Sequence, residues 1–293
     1  MSESAPVTDR QPATYEASFL QRARGHPSFV IGAGLVLLLV FAAALSLFWS
    51  PWPPADIDIP NKLAVSSAQH WFGTDSLGRD IASQLLVGSQ NSIMVGFIAV
   101  GIGLSFGAAL GLWAAARTGW VEELIMRSAD LAFAFPALLL AIILTAIYGP
   151  GLLISITAIG LFNISVFARI SRGAAKAIWS RDFVTAARTA GKGPLRITLD
   201  HVLPNIASVL IVQATVQFAI AILAEAALSY LGLGTQPPSP SWGRMLNEAQ
   251  TQLFQAPMLA VYPGVAIALS VLGLNLMGDG LRDLLDPKLS RHR

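Results

Sequence analysis

Apolar residues in this chain run in long blocks almost free of charge, rather than as stripes repeating at helical period. A helix rises about 1.5 Å per residue and the hydrocarbon layer of a bilayer is roughly 30 Å thick, so a span needs about 20 predominantly apolar residues. Six blocks meet that length: Phe29 to Phe48, about Ser92 to Ala116, about Ser128 to Ile147 with Pro136 as a kink, the turn Tyr148-Gly149-Pro150-Gly151 onward to about Ala168, about Ile206 to Leu231, and about Met258 to Met277. The first follows 28 mostly polar residues and is too long for the apolar core of a signal peptide, so it is expected to be a retained span. The pattern predicts an all-α integral membrane fold of six transmembrane helices.

Basic residues orient it. Of the nineteen Lys and Arg, sixteen fall in the N-terminal tail, the second-to-third connection, the fourth-to-fifth connection and the C-terminal tail; only Lys62, Arg79 and Arg244 fall on the other side. The positive-inside bias then places both termini in the cytoplasm. The expected organisation is a cytoplasmic tail over 1–28, the first helix over 29–48, an extracytoplasmic loop over 49–91, a five-helix core over 92–279 and a cytoplasmic tail over 280–293, with a cytoplasmic loop at 170–205 inside the core. Trp49, Trp52, Trp71, Tyr148, Tyr230, Trp242 and Tyr262 suit the membrane interfaces on the outer side.

Composition agrees. Only 12% of the residues are charged and mean hydropathy is +0.61, against roughly 25% charged in a soluble domain. The absence of cysteine excludes a disulfide framework, a thiol nucleophile and thiolate-bound metal. A net charge of +2 gives no argument for nucleic acid. Gly191-Lys192 lacks the upstream glycine and the following Ser/Thr of a phosphate loop, so the chain itself is not expected to bind ATP. His26, His70, His201 and His292 are too scattered for a metal site, and no nucleophile–base–acid set occurs, so no catalytic role is expected.

Seven basic residues crowd the fourth-to-fifth connection: Arg169, Arg172, Lys176, Arg181, Arg188, Lys192 and Arg196. Its segment Ser180–Asn205 exceeds the usual helix–helix connection of about two to eight residues and should hold structure of its own. Ser180 suits an N-cap, Asp182 the first turn, and Gly191 a left-handed terminator, which gives a helix of about ten residues. Pro194 suits the start of a second short helix, and Pro204 a break before the fifth span. The result is an elbow on which Ala186, Ala187 and Ala190 permit close approach, Phe183 offers an apolar plug and Arg188 a charge. A docking elbow and a solvated basic loop beside anionic lipid both fit these residues.

At this loop the chain resembles the membrane-spanning permease subunits of binding-protein-dependent ABC importers. Their signature is Glu-Ala-Ala, three residues, Gly, nine residues, then Ile-x-Leu-Pro; Ala186, Ala187, Gly191, Leu203 and Pro204 match it, while Thr185 replaces the glutamate and His201 the isoleucine. Four further stretches are similar to the dipeptide, oligopeptide and nickel importers: His70–Asp80, Ala224–Gly234, Gln236–Gly243 and Asn275–Lys288. The resemblance implies the type I importer permease architecture and a pathway for peptides, or alternatively nickel or another small complex. It also implies a second related permease as heterodimer partner, two ATP-binding subunits that hold ATP and Mg, an extracytoplasmic binding protein and an inner-membrane location. In that family the elbow is a coupling helix, which assigns contact with the ATP-binding subunit to Asp182, Phe183, Ala186, Ala187, Arg188 and Gly191. An ion-coupled secondary transporter or an intramembrane enzyme is the alternative from another class, but such proteins usually place charges in mid-span.

Polar residues in the spans are the candidates for a pathway or gate. Glu225 lies about 19 residues into the fifth span, where a carboxylate needs water or a partner; a gating role and a helix-end carboxylate held by a neighbouring loop both fit. Gln213 and Gln217 share one helical face, as pore lining or as interhelical hydrogen bonds. Asn163 and Asn275 pose the same choice. Gly103, Gly107 and Gly111 form a small-residue stripe for close packing. Asp75, Arg79 and Asp80 suit an ion-paired turn capping the second span, or a contact with the delivery protein. Asp279, Arg282, Asp283 and Asp286 could pair locally and reach the elbow.

Overall fold

A computed structural model describes residues 19–285, and the described residues are helical apart from turns, loops and an isolated bridge between Thr74 and Asp80. A short helix α1 (Phe19–Arg24) leads into α2 (Pro27–Ser46), whose first position is held by Pro27. α3 (Ile81–Ile102) passes through a π turn at Gly103–Gly107 into α4 (Ala108–Ala116) without breaking. α5 (Trp120–Ala134) and α6 (Ala137–Tyr148) follow, then α7 (Leu152–Trp179). The elbow consists of α8 (Asp182–Thr189) and α9 (Pro194–Ile197), and a second π turn at Thr198–Val202 leads into α10 (Leu203–Tyr230). α11 (Trp242–Ala249) and α12 (Met258–Leu285) complete the described chain. Five continuous helical stretches are long and apolar enough to cross a membrane, and the bent pair α5–α6 makes six if counted as one broken span.

Several boundaries differ from the hydropathy pattern for physical reasons. The second span starts at Ile81, not near Ser92, so the expected loop over 49–91 ends early. Asp80 caps the helix by accepting from the Ser83 N–H at 2.8 Å, and the polar first turns (Ser83, Gln84, Ser89, Asn91) are buried against protein. The third span is broken, not kinked. Phe135, ahead of proline, is extended (φ −99°, ψ 124°), and the two helices meet at 83°. α7 continues past Ala168 to Trp179 because its basic last turns find acids on α5. Pro204 breaks nothing: it sits in the first turn of α10, and the π turn before it absorbs the missing donor. Asn205 helps by donating to the His201 carbonyl at 2.6 Å.

Two apolar cores hold the bundle. One lies where α3, α4, α7 and α10 meet around Val95, Phe167 and Ile206; the other joins α2, α10, α11 and α12 around Ile222, Trp242 and Leu274. The glycine stripe packs on α7. A Cβ on Gly103, Gly107 or Gly111 would collide with Asn163 Cβ, the Ile164 carbonyl and Ser171 Oγ respectively. A second glycine seam, unread in the sequence, docks α2 on α12, where Gly32 abuts the Met277 backbone and Gly273 and Gly280 abut Leu35 and Phe29. Leu37, Phe41 and Phe97 point outward, as a lipid-facing surface requires.

Candidate functional site

The elbow stands at one end of α7 and α10. Ser180 does not cap it: its hydroxyl donates to the Ala177 carbonyl at 3.1 Å, and the N-cap is Arg181 in extended conformation. Along α8, Val184 is buried and Ala187 half-buried, so these carry its packing, while Asp182, Phe183, Ala186 and Arg188 are exposed. Phe183 remains 46% exposed although its ring edge meets His201, 6.2 Å between centroids. Gly191 ends the helix at φ +82°. Its N–H donates to the Arg188 carbonyl at 3.0 Å and that of Lys192 to the Ala187 carbonyl at 3.1 Å, a Schellman closure that requires the left-handed conformation.

Five of the seven basic residues are ion-paired, and Arg181 and Arg188 are left exposed on the elbow. Arg172 and Lys176 both pair with Glu122 on α5. Arg169 pairs with Asp130 at 2.5 Å and lies 4.1 Å over the Phe133 ring. Lys192 and Arg196 share Asp200, and Arg188 sits over Trp179. What the elbow presents is therefore a short helix with an exposed aromatic and small residues, braced from beneath by ion pairs.

Gln213, Gln217 and Glu225 climb α10 away from the elbow and do not gather with it. Gln213 is half-buried, and Gln217 is 5% exposed. Glu225 is fully buried: Oε1 accepts from Ser229 Oγ at 2.6 Å and from Thr235 Oγ1 at 3.2 Å, so the loop after α10 holds it. Asn163 makes an interhelical bond, to the Ala99 carbonyl at 3.4 Å. At the elbow end of α12, Asp283 pairs with His26 at 3.3 Å, which ties α12 to the start of α2; Asp286 lies outside the described residues.

At the opposite end, the segments flanking α3 and α12 fold into a cap. Arg79, 5% exposed, reaches Asp75 Oδ2 at 2.6 Å and also pairs with Glu248. Burial disfavours its charge, yet the two carboxylates outweigh that and raise its pKa above the ordinary guanidinium value. Gln84 donates to Asp75 at 2.8 Å and Asn91 to the Pro240 carbonyl at 2.6 Å. Trp242 is buried, not interfacial: its Nε1–H donates to the Leu85 carbonyl at 3.0 Å and its ring fills the space beside Gly88. Glu248 and Trp242 had no signal at Arg79 or Gly88 in the sequence. The local cue was Ser241, which caps α11 by accepting from the Arg244 N–H at 3.2 Å.

The described residues thus form a multi-span helical bundle with a short, outward-facing helix between two of its spans. Residues 107–291 match the family described as binding-protein-dependent transport system inner membrane component, and the chain belongs to that family. It is 44% identical over 272 residues to the glutathione transport system permease protein GsiD of Escherichia coli O157:H7, an alignment covering 92% of this chain and 90% of that protein. The GsiD of Shigella sonnei (strain Ss046) is similar to the same extent. The fold also matches a chain of the MetNI methionine ABC transporter in an inward-facing conformation, with a TM-score of 0.57 at 18% identity, over 69% of this chain and 97% of the other.

Proposed function

We propose that the chain pairs with a second, related permease to enclose a pathway for small peptides, which an extracytoplasmic binding protein delivers. ATP, with Mg, is bound and hydrolysed by two partner subunits, and the elbow carries their motion into the spans. The observation that supports this best is α8 itself. It is closed at Gly191 and packed through Val184, and it leaves Phe183, Ala186 and Arg188 facing outward. α10 starts from the same elbow and carries Gln213, Gln217 and Glu225, so displacement of α8 is transmitted along the helix that holds the polar candidates. For the substrate class, the similarity to glutathione permeases favours peptides, since glutathione is itself a small peptide.

Reconstitution tests this. Proteoliposomes holding this chain, its related permease and the ATP-binding subunits, supplied with the binding protein, are expected to take up labelled glutathione or dipeptide only when ATP is present. Uptake by this chain alone without ATP would defeat the proposal and favour secondary transport.

A further inference from the structure

A cleft of about 710 Å³ opens between α4 and the elbow's second helix with the start of α10, a volume typical of a ligand site. Apart from Ser105, Thr198 and Arg117, every lining side chain is apolar, and Thr198 already donates to the Pro194 carbonyl at 2.9 Å. Such walls suit neither a peptide nor an ion. Arg117 lines the cleft immediately after α4; it is exposed and has no ion pair among the described residues, whereas Arg169, Arg172, Lys176, Lys192 and Arg196 all have one. Trp113 and Trp120 are also exposed at this end of α4, as side chains at headgroup depth are.

We propose that this cleft binds an anionic phospholipid of the inner leaflet, with an acyl chain between Leu112 and Leu199 and the headgroup phosphate on Arg117. The proposal rests on the orientation that puts the elbow in the cytoplasm. Charge separates a lipid from the other apolar occupant, a helix of the second permease. A permease obeying the same positive-inside bias would bring further cations to this end, beside an arginine with no ion pair among the described residues and no acid in the cleft lining, whereas an anionic phospholipid brings a net negative charge. Because α9 and the π turn form one wall, the bound lipid braces the elbow, and the anionic lipid content of the membrane sets how firmly α8 is held.

The test uses the complete transporter in nanodiscs containing photoactivatable phosphatidylglycerol or phosphatidylcholine, with the diazirine on the acyl chain. Phosphatidylglycerol is expected to label the peptides spanning residues 104–117 and 194–211. Arg117→Gln should cut that labelling about fivefold, the equivalent of the ~1 kcal/mol that one basic residue contributes beside an anionic leaflet. Arg117→Lys should preserve it, and phosphatidylcholine, whose choline cation offsets the charge of its phosphate, should label more weakly and respond less to either variant. Equal labelling by both lipids without response to Arg117→Gln would overturn the proposal. So would efficient cross-linking of Ala109→Cys to the second permease, a clean probe because the chain has no cysteine of its own. Neither readout needs substrate or ATP, so the result is independent of import.

Discussion

Phe183→Asp is expected to leave the permease folded in the membrane while abolishing most of the ATP hydrolysis that the loaded binding protein stimulates. The packing of α8 rests on Val184 and Ala187, whereas Phe183 is 46% exposed and meets the His201 ring edge. An aromatic anchor at the centre of a protein interface commonly contributes about 2 kcal/mol or more, so a charge there should weaken association with the ATP-binding subunit by roughly 30-fold. Phe183→Leu, which keeps an apolar plug, should retain most of the coupling. Co-purification of the ATP-binding subunit and stimulated ATPase activity measure the effect; wild-type behaviour of Phe183→Asp would remove α8 from the contact.

Arg79→Ala should have the largest effect on the fold itself. It leaves Asp75, nearly buried, facing Glu248 with no cation between them. Removing one partner of a buried pair costs about 3–5 kcal/mol; the low end, about 3, is expected because Glu248 is partly exposed and keeps Arg244 at 2.9 Å. A lowered melting temperature of the purified protein and faster proteolysis between residues 232 and 257 would register the loss. Arg79→Met, which keeps much of the volume but not the charge, should fail nearly as badly. Unchanged stability in both would mean that the cap does not depend on this pair.

Apolar blocks revealed the spans because lipid-facing surface demands hydrophobic side chains, as Leu37, Phe41 and Phe97 supply. Local stereochemistry was equally readable: Gly191 takes the left-handed conformation expected of it, and Asp80 caps its helix. The misread boundaries share a cause. Hydropathy treats a polar residue as the end of a span, but Ser83 and Gln84 are buried under the cap, and Arg172 and Lys176 share the carboxylate of Glu122 on another helix. The cap was hidden for a related reason. Arg79 and Glu248 lie 169 residues apart, and nothing near either residue announces the other. Glu225 likewise owes its place to Thr235, beyond the end of its helix. The elbow could be located from its glycine and prolines, whereas its support by paired charges depended largely on acids contributed by α5.

The claim that α8 contacts the ATP-binding subunit is open to one direct measurement. Ala186→Cys introduces a lone thiol on the exposed face of α8 into a chain without cysteine. With a short bifunctional thiol-to-amine reagent in the assembled transporter, it should cross-link to an ATP-binding subunit, with a yield that changes when ATP is bound. A thiol that instead stays freely reactive to a bulky water-soluble maleimide in the full complex, with no cross-link in any nucleotide state, would contradict the account.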